Sequence, residues 1–286
     1  YTSITFGLFL IYKVINLRTF DAFNLSLTII SSGGFLIVND ISEILQSNYQ
    51  VYIFSFSMLI SFFSILLPYN ILFLKKKDAL VFTEDFYLMI YFIFLVCIFF
   101  IFLNQNNFEE TLFSLISSIS NIGFSFNNVN QNNFIFLVLV IIGGSLVSTS
   151  SGLRFLKIYL LTKFSLNELV SHTKPKHIFL NKVLFSNVKI DLNDINKYFF
   201  TVIIFILALC LLIFFLTLYS IEFDTAFKLG TLTLMNTVNS SLYGLDNLIF
   251  TDFSYSLKFI LIVFMIIGRI EIISILILIK KFVFKN

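Results

Sequence analysis

Residues Ile141 to Arg154 read IIGGSLVSTSSGLR, and the reading of this stretch decides how the rest of the chain is understood. It interrupts an apolar run that begins near Phe134 and resumes at Phe155. Gly143, Gly144 and Gly152 lower helix propensity, and Ser145, Ser148, Thr149, Ser150 and Ser151 offer hydroxyl partners to a loosened backbone. Non-helical backbone at membrane depth is tolerated only where protein buries it or where it lines a wet cavity. The stretch therefore predicts a broken transmembrane helix beside an aqueous path. The plainer alternative is a small-residue surface for helix packing, although so dense a polar cluster is more than close packing requires.

The surroundings support a membrane setting. The chain is 58% hydrophobic and 12% charged, with 40 Phe among 286 residues, and its mean hydropathy is +0.96. Six apolar runs cover about 2–16, 51–73, 86–104, 134–162, 198–219 and 255–283. Continuous runs of this length predict an all-α polytopic membrane protein, because barrel strands alternate instead. Cys97 and Cys210 fall inside apolar runs, so no disulfide framework is indicated. The chain opens at Tyr1 within an apolar run that lacks a small-residue cleavage site, and an upstream segment is expected.

Shorter amphipathic stretches, 21–31, 109–119 and 224–236, lie between the runs and are too short to span. The order of span, short helix, polar turn and span thus occurs three times. Each short stretch opens on Phe and an acid: Phe20-Asp21, Phe108-Glu109 and Phe223-Asp224. An acid there complements the helix dipole by roughly 0.3–1 kcal/mol. The opposite ends run into Ser31-Ser32-Gly33-Gly34, Ser120-Asn121-Ile122-Gly123 and Asn236-Thr237-Val238-Asn239. Any one of these turns reads as an ordinary loop. Three in register read as filter turns whose backbone oxygens replace an ion's hydration shell.

Charge sets the orientation. Lys75, Lys76, Lys77, Lys157, Lys163 and the lysines from Lys174 to Lys197 fall on one side with Lys280, Lys281 and Lys285, which makes that side cytoplasmic. The other side carries Asp21, Asp40, Glu43, Glu109, Glu110, Glu222, Asp224, Asp246 and Asp252, either a cation-gathering mouth or a solvated acidic surface. The polar segment 164–197 reads as a cytoplasmic connector, and its His172 and His177 are a weak metal signal. Arg269 stands deep in the last apolar run with Glu271 on a different helix face. A mid-membrane arginine is a functional-site hypothesis by default, and the polar loop 143–153 is its expected partner; the alternative is an arginine snorkelling to the interface.

These residues resemble the Trk/Ktr/HKT superfamily of potassium transporters, most closely the bacterial Trk membrane subunit. SSGGF at 31–35 is similar to the second filter of that family (STGGF), SNIGF at 120–124 to the third (TTTGF), and IIGGSLVSTSSGLR to its intramembrane gating loop. PYNILFLKKK at 68–77 and GRIE at 268–271 match in place and order. The fourth filter departs: where the family reads NNVGPG, this chain has Asn236-Thr237-Val238-Asn239-Ser240-Ser241. Lys228 also sits in the fourth pore helix, four residues after Asp224, a spacing at which an ion pair holds it outward.

The resemblance implies repeated span–pore helix–filter–span units around a central ion pathway. Residues 1–77 are then repeat two, 78–163 repeat three with the gating loop, and 198–286 repeat four, with repeat one absent from the sequence. It implies no enzymatic chemistry and no covalently bound cofactor. K⁺ is the transported ion, held at the filter residues. The gate comprises Gly143, Gly144, Ser145, Ser148, Thr149, Ser150, Ser151, Gly152 and Arg269. The expected setting is the inner (plasma) membrane, multi-pass and in contact with lipid, as a homodimer carrying a cytoplasmic nucleotide-binding regulatory subunit, with no nucleic-acid partner. Two other readings stay open: Na⁺ or mixed permeation on the same fold, and a non-conducting scaffold or regulatory subunit. A secondary transporter fits less well, because its repeats are inverted.

Overall fold

A computed structural model describes residues 1–38, 41–64, 80–102, 108–126, 133–173, 192–238, 241–245, 248 and 250–269. Ten α-helices are present among them. The first group is α1 (Thr2–Val14), α2 (Thr19–Ser31) and α3 (Asn48–Phe62). The second is α4 (Leu80–Phe102), α5 (Phe108–Ile119), and α6 (Asn133–Ile141) continued after a break by α7 (Phe155–Thr173). The third is α8 (Leu192–Leu218), α9 (Phe223–Met235) and α10 (Tyr255–Arg269). The break between α6 and α7 is closed by two short parallel strands, β1 (Ile142–Gly143) and β2 (Leu153–Arg154), with Ile142 opposite Leu153. Helix α7 runs to Thr173 and α8 starts at Leu192, so helix enters both ends of the segment expected as a connector; residues 174–191 and Glu271 lie outside the described residues.

The first and third groups are built alike down to single hydrogen bonds. Asn16 after α1 and Ser220 after α8 are both left-handed, with φ of 64° and 62°. The Asn16 and Leu17 amides bond to the Lys13 and Tyr12 carbonyls, and the Ser220 and Ile221 amides to the Thr217 and Leu216 carbonyls. This is the paired closure of a Schellman turn, which satisfies carbonyls that a helix end leaves open. In both groups the short helix then begins within three residues, with Ala22 donating to the Arg18 carbonyl and Ala226 to the Glu222 carbonyl.

Helices α4 and α8 set the long dimension. Their 23 and 27 residues give lengths of about 35 and 40 Å at about 1.5 Å per residue, enough for a hydrocarbon core of about 30 Å. Within them Glu84–Ile101 and Ile195–Leu218 have mean hydropathies of 2.1 and 3.3, yet only 28% of each is buried. A soluble protein hides such helices. Here Ile93, Phe94, Phe100, Phe199, Leu207 and Phe214 face outward, which is a lipid-facing surface.

The short helices occupy the centre instead. Residues Phe113 to Ile119 of α5 and Leu229 to Met235 of α9 are buried on every side. Several of their hydroxyls bond back one turn: Ser114 to the Glu110 carbonyl and Ser118 to that of Ser114, both at 2.8 Å, and Thr233 to that of Leu229 at 2.6 Å. Phe54 of α3 stacks on Phe113 and Phe124 and locks α5 against the first group. Glu109, at the start of α5, accepts hydrogen bonds from Asn48 and Tyr52 of α3. Lys228 pairs with Asp224 at 2.6 Å on an exposed face of α9.

Candidate functional site

The three short helices end in one geometry. After α2, α5 and α9 the residues Ser32, Asn121 and Asn236 are left-handed, with φ of 44°, 58° and 52°. In each case that residue's amide bonds three residues back and the next amide five back: Ser32 to Ile29 and Gly33 to Thr28, Asn121 to Ser118 and Ile122 to Ser117, Asn236 to Thr233 and Thr237 to Leu232. The chain thereby reverses in the same way three times.

The residues that follow meet one another. Gly34 and Gly123 are left-handed, with φ of 68° and 90°. A Cβ on Gly34 would overlap the Ile122 carbonyl oxygen and lie 2.5 Å from Val238 Cγ2, and one on Gly123 would overlap the Val238 carbonyl oxygen. Only glycine fits either place. By this register Val238 takes the position of Gly34 and Gly123, and it is absent from the positive-φ residues. The turn after α9 therefore leaves its helix along a different path. Asn239, expected opposite the glycines, lies outside the described residues.

Directly beneath these turns sits the polar stretch between α6 and α7. It is folded on itself: the Gly144 amide donates to Ser150 Oγ at 2.9 Å, Ser148 Oγ to the Ser145 carbonyl at 2.7 Å, and the Phe155 amide to the Gly144 carbonyl at 3.2 Å. It is tied to the end of α3, where the Ser145 and Ser150 amides donate to the Phe62 and Ser61 carbonyls at 3.0 and 3.1 Å. A Cβ on Gly143 would overlap the Ser151 carbonyl oxygen, one on Gly144 that of Phe62, and Gly152 has φ of 92°. The stretch is also joined to the turns above. Ser32 Oγ donates to the Thr149 carbonyl at 2.8 Å and Asn121 Nδ2 to the Ser151 carbonyl at 2.9 Å.

Arg269, the last described residue of α10, reaches both layers. Its Nη1 donates to Ser151 Oγ at 3.0 Å and Ser32 Oγ at 3.1 Å, and its Nη2 to the Ser31 carbonyl at 2.8 Å. The loop contact is the one expected, but the Ser31 and Ser32 contacts are additional. The side chain also keeps an exposed face, because an apolar cavity of about 570 Å³ between α2, α9 and α10 opens beside it.

The expected residues are thus brought together, Ser31 to Gly34, Ser120 to Gly123 and Asn236 to Val238 above and Gly143 to Gly152 below. Ser120 turns away and bonds the Ile116 carbonyl of its own helix, and Asn236 Nδ2 donates to the Met265 carbonyl of α10. Sequence reasoning missed two contributors. Arg154 gathers the loop from within: its Nη1 lies 3.1, 3.3 and 2.9 Å from the carbonyl oxygens of Ser145, Ser148 and Ser150 and 3.0 Å from Ser148 Oγ. Glu84 of α4 is fully buried and accepts from Ser145 and Leu146. The available signals were an arginine closing a polar stretch inside an apolar run, and two acids at the head of another.

This fold is that of an all-α polytopic membrane protein, as the apolar runs predict. Among solved structures it is similar to the crystal structure of the potassium transporter TrkH from Vibrio parahaemolyticus, with a TM-score of 0.82 and 23% identity over 97% of this chain. The chain spans 62% of that protein. No protein-family profile and no curated protein matches the sequence.

Proposed function

We propose that the chain forms part of a channel-like path for potassium ions across the membrane. One observation carries this reading. Three left-handed helix ends converge so that the Ile122 and Val238 carbonyl oxygens lie against Gly34 and Gly123, and a polar loop is hydrogen-bonded to them through Ser32–Thr149 and Asn121–Ser151. The upper layer suits a filter that exchanges water for carbonyl oxygen. The lower layer is non-helical backbone at membrane depth, which needs a protein or water surround. The solved potassium transporter of the same fold supports K⁺ as the ion.

In this reading Ser31 to Gly34, Ser120 to Gly123 and Asn236 to Asn239 hold K⁺, and the loop Gly143 to Leu153 obstructs the route beneath, with Arg269 bracing it. Residues 1–77, 78–163 and 198–286 are successive repeats. Multi-pass insertion in the plasma membrane, homodimerisation and a cytoplasmic nucleotide-binding partner belong to the same proposal. The test is uptake by the full-length protein in potassium-starved cells. Growth rescue supports the reading, and absence of flux from protein correctly inserted in the membrane refutes it.

A second reading, Na⁺ or mixed permeation, is favoured by the fourth turn. Val238 stands without positive φ where the other turns have left-handed glycine, so the ring of oxygens is uneven. A Na⁺/K⁺ permeability ratio near unity supports mixed permeation.

A further inference from the structure

We propose that Glu84 is the positioning residue that pins the loop to α4 from the cytoplasmic side, an inference that rests on the gating role proposed above. The side chain is fully buried. Its Oε1 accepts the Leu146 amide at 2.9 Å and its Oε2 accepts Ser145 Oγ at 3.1 Å, so both oxygens are used by the loop. An acid in the first turns of a helix also complements the dipole, but that role is served equally well from solvent. Burial of a carboxylate is costly unless hydrogen bonds replace the lost water. Here the replacement comes from the loop itself, which makes the contact specific to the docked loop.

The neighbouring acid makes the arrangement three-cornered. Asp85 is also buried, and its Oδ1 accepts the Ser64 amide at 3.0 Å just beyond α3. The end of α3 holds the loop through the Ser61 and Phe62 carbonyls. Adjacent residues of α4 therefore grip the loop and the end of α3 to which it is tied. Arg269 and Asn121 act on Ser151, at the other end of the loop. Release of the Glu84 contacts loosens the Ser145–Leu146 end, which keeps its bonds to Phe62, Ser148 and Arg154, while the filter-side contacts remain.

The experiment uses the full-length protein with Cys97 and Cys210 replaced, since both are exposed thiols, and with Val147→Cys as a reporter. Maleimide labelling of position 147 from the cytoplasmic side is read together with K⁺ flux. Glu84→Ala removes both acceptors and is expected to raise the labelling rate and the ungated flux about 30-fold, from two hydrogen bonds of ordinary strength. Glu84→Gln keeps an acceptor for the Leu146 amide and an amide group for Ser145, and is expected to stay within about threefold of the parent. Adding Ser145→Ala to Glu84→Ala should have little further effect, because the partner is already lost. Unchanged labelling in Glu84→Ala, equal acceleration by Glu84→Gln, or full additivity with Ser145→Ala overturns the assignment. If Glu84→Ala does not reach the membrane, Ser145→Ala alone decides: labelling accelerated about fivefold supports the contact, and no acceleration overturns it. A parent that labels as expected but passes no K⁺ refutes the transport reading while leaving the Glu84 contact standing.

Discussion

Gly144→Ala tests the loop most directly. The new Cβ would overlap the Phe62 carbonyl oxygen, approach the Phe62 carbonyl carbon to 2.9 Å and Ser150 Oγ to 2.8 Å. The opposing atoms are largely backbone of α3, so no side-chain rotation relieves the clash and the loop must withdraw. Withdrawal endangers three bonds: Ser145 amide to Phe62 carbonyl at 3.0 Å, Ser150 amide to Ser61 carbonyl at 3.1 Å, and Gly144 amide to Ser150 Oγ at 2.9 Å. At a net contribution of about 1 kcal/mol each, loss of two costs about 2 kcal/mol. That is about a 30-fold shift of the loop away from its docked position. Tracer flux of rubidium through the full-length protein in liposomes should rise accordingly in the absence of activating partners. Gly7→Ala is the control, because a Cβ at Gly7 meets nothing within 4 Å. A Gly144→Ala protein present in normal amount with flux within about twofold of the parent, against the roughly 30-fold expected, would refute the docking argument.

Arg269→Ala removes donors to Ser31, Ser32 and Ser151 and is expected to raise open probability in single-channel recordings, with Arg269→Lys intermediate because an ammonium cannot span both layers in the same planar way. Arg154→Ala leaves the carbonyls of Ser145, Ser148 and Ser150 without their shared donor; a loss of about 2–3 kcal/mol is expected, read as a lower melting temperature of the detergent-solubilised protein. Gly123→Ala drives a Cβ into the Val238 carbonyl and should abolish flux without lowering the amount of protein in the membrane. Asn239→Gly should raise K⁺ selectivity if the family register governs the fourth filter; if Val238→Gly does so instead, the register of the helix ends governs it.

Much of the architecture was legible in the sequence because its causes are local. Hydropathy over twenty residues marks a span such as Ile195–Leu218, and the glycines and hydroxyls of Ile141–Arg154 mark a helix that cannot continue. The short helices were readable from length and from an acid at their head, since Asp21, Glu109 and Asp224 all lie in first turns. What the tertiary structure decided is which distant groups answer the polar backbone so exposed. Glu84 meets Ser145 across 61 positions, Ser32 meets Thr149 across 117, and Arg269 meets Ser32 across 237. No periodicity encodes such pairs, because a hydrogen bond depends on where two chains come within about 3 Å and not on what stands beside either in sequence. The register of the turn after α9 is of the same kind. Val238 faces Gly34 and Gly123 because α9 ends at Met235 and reverses at Asn236, a one-residue matter that packing of the helix settles and composition does not.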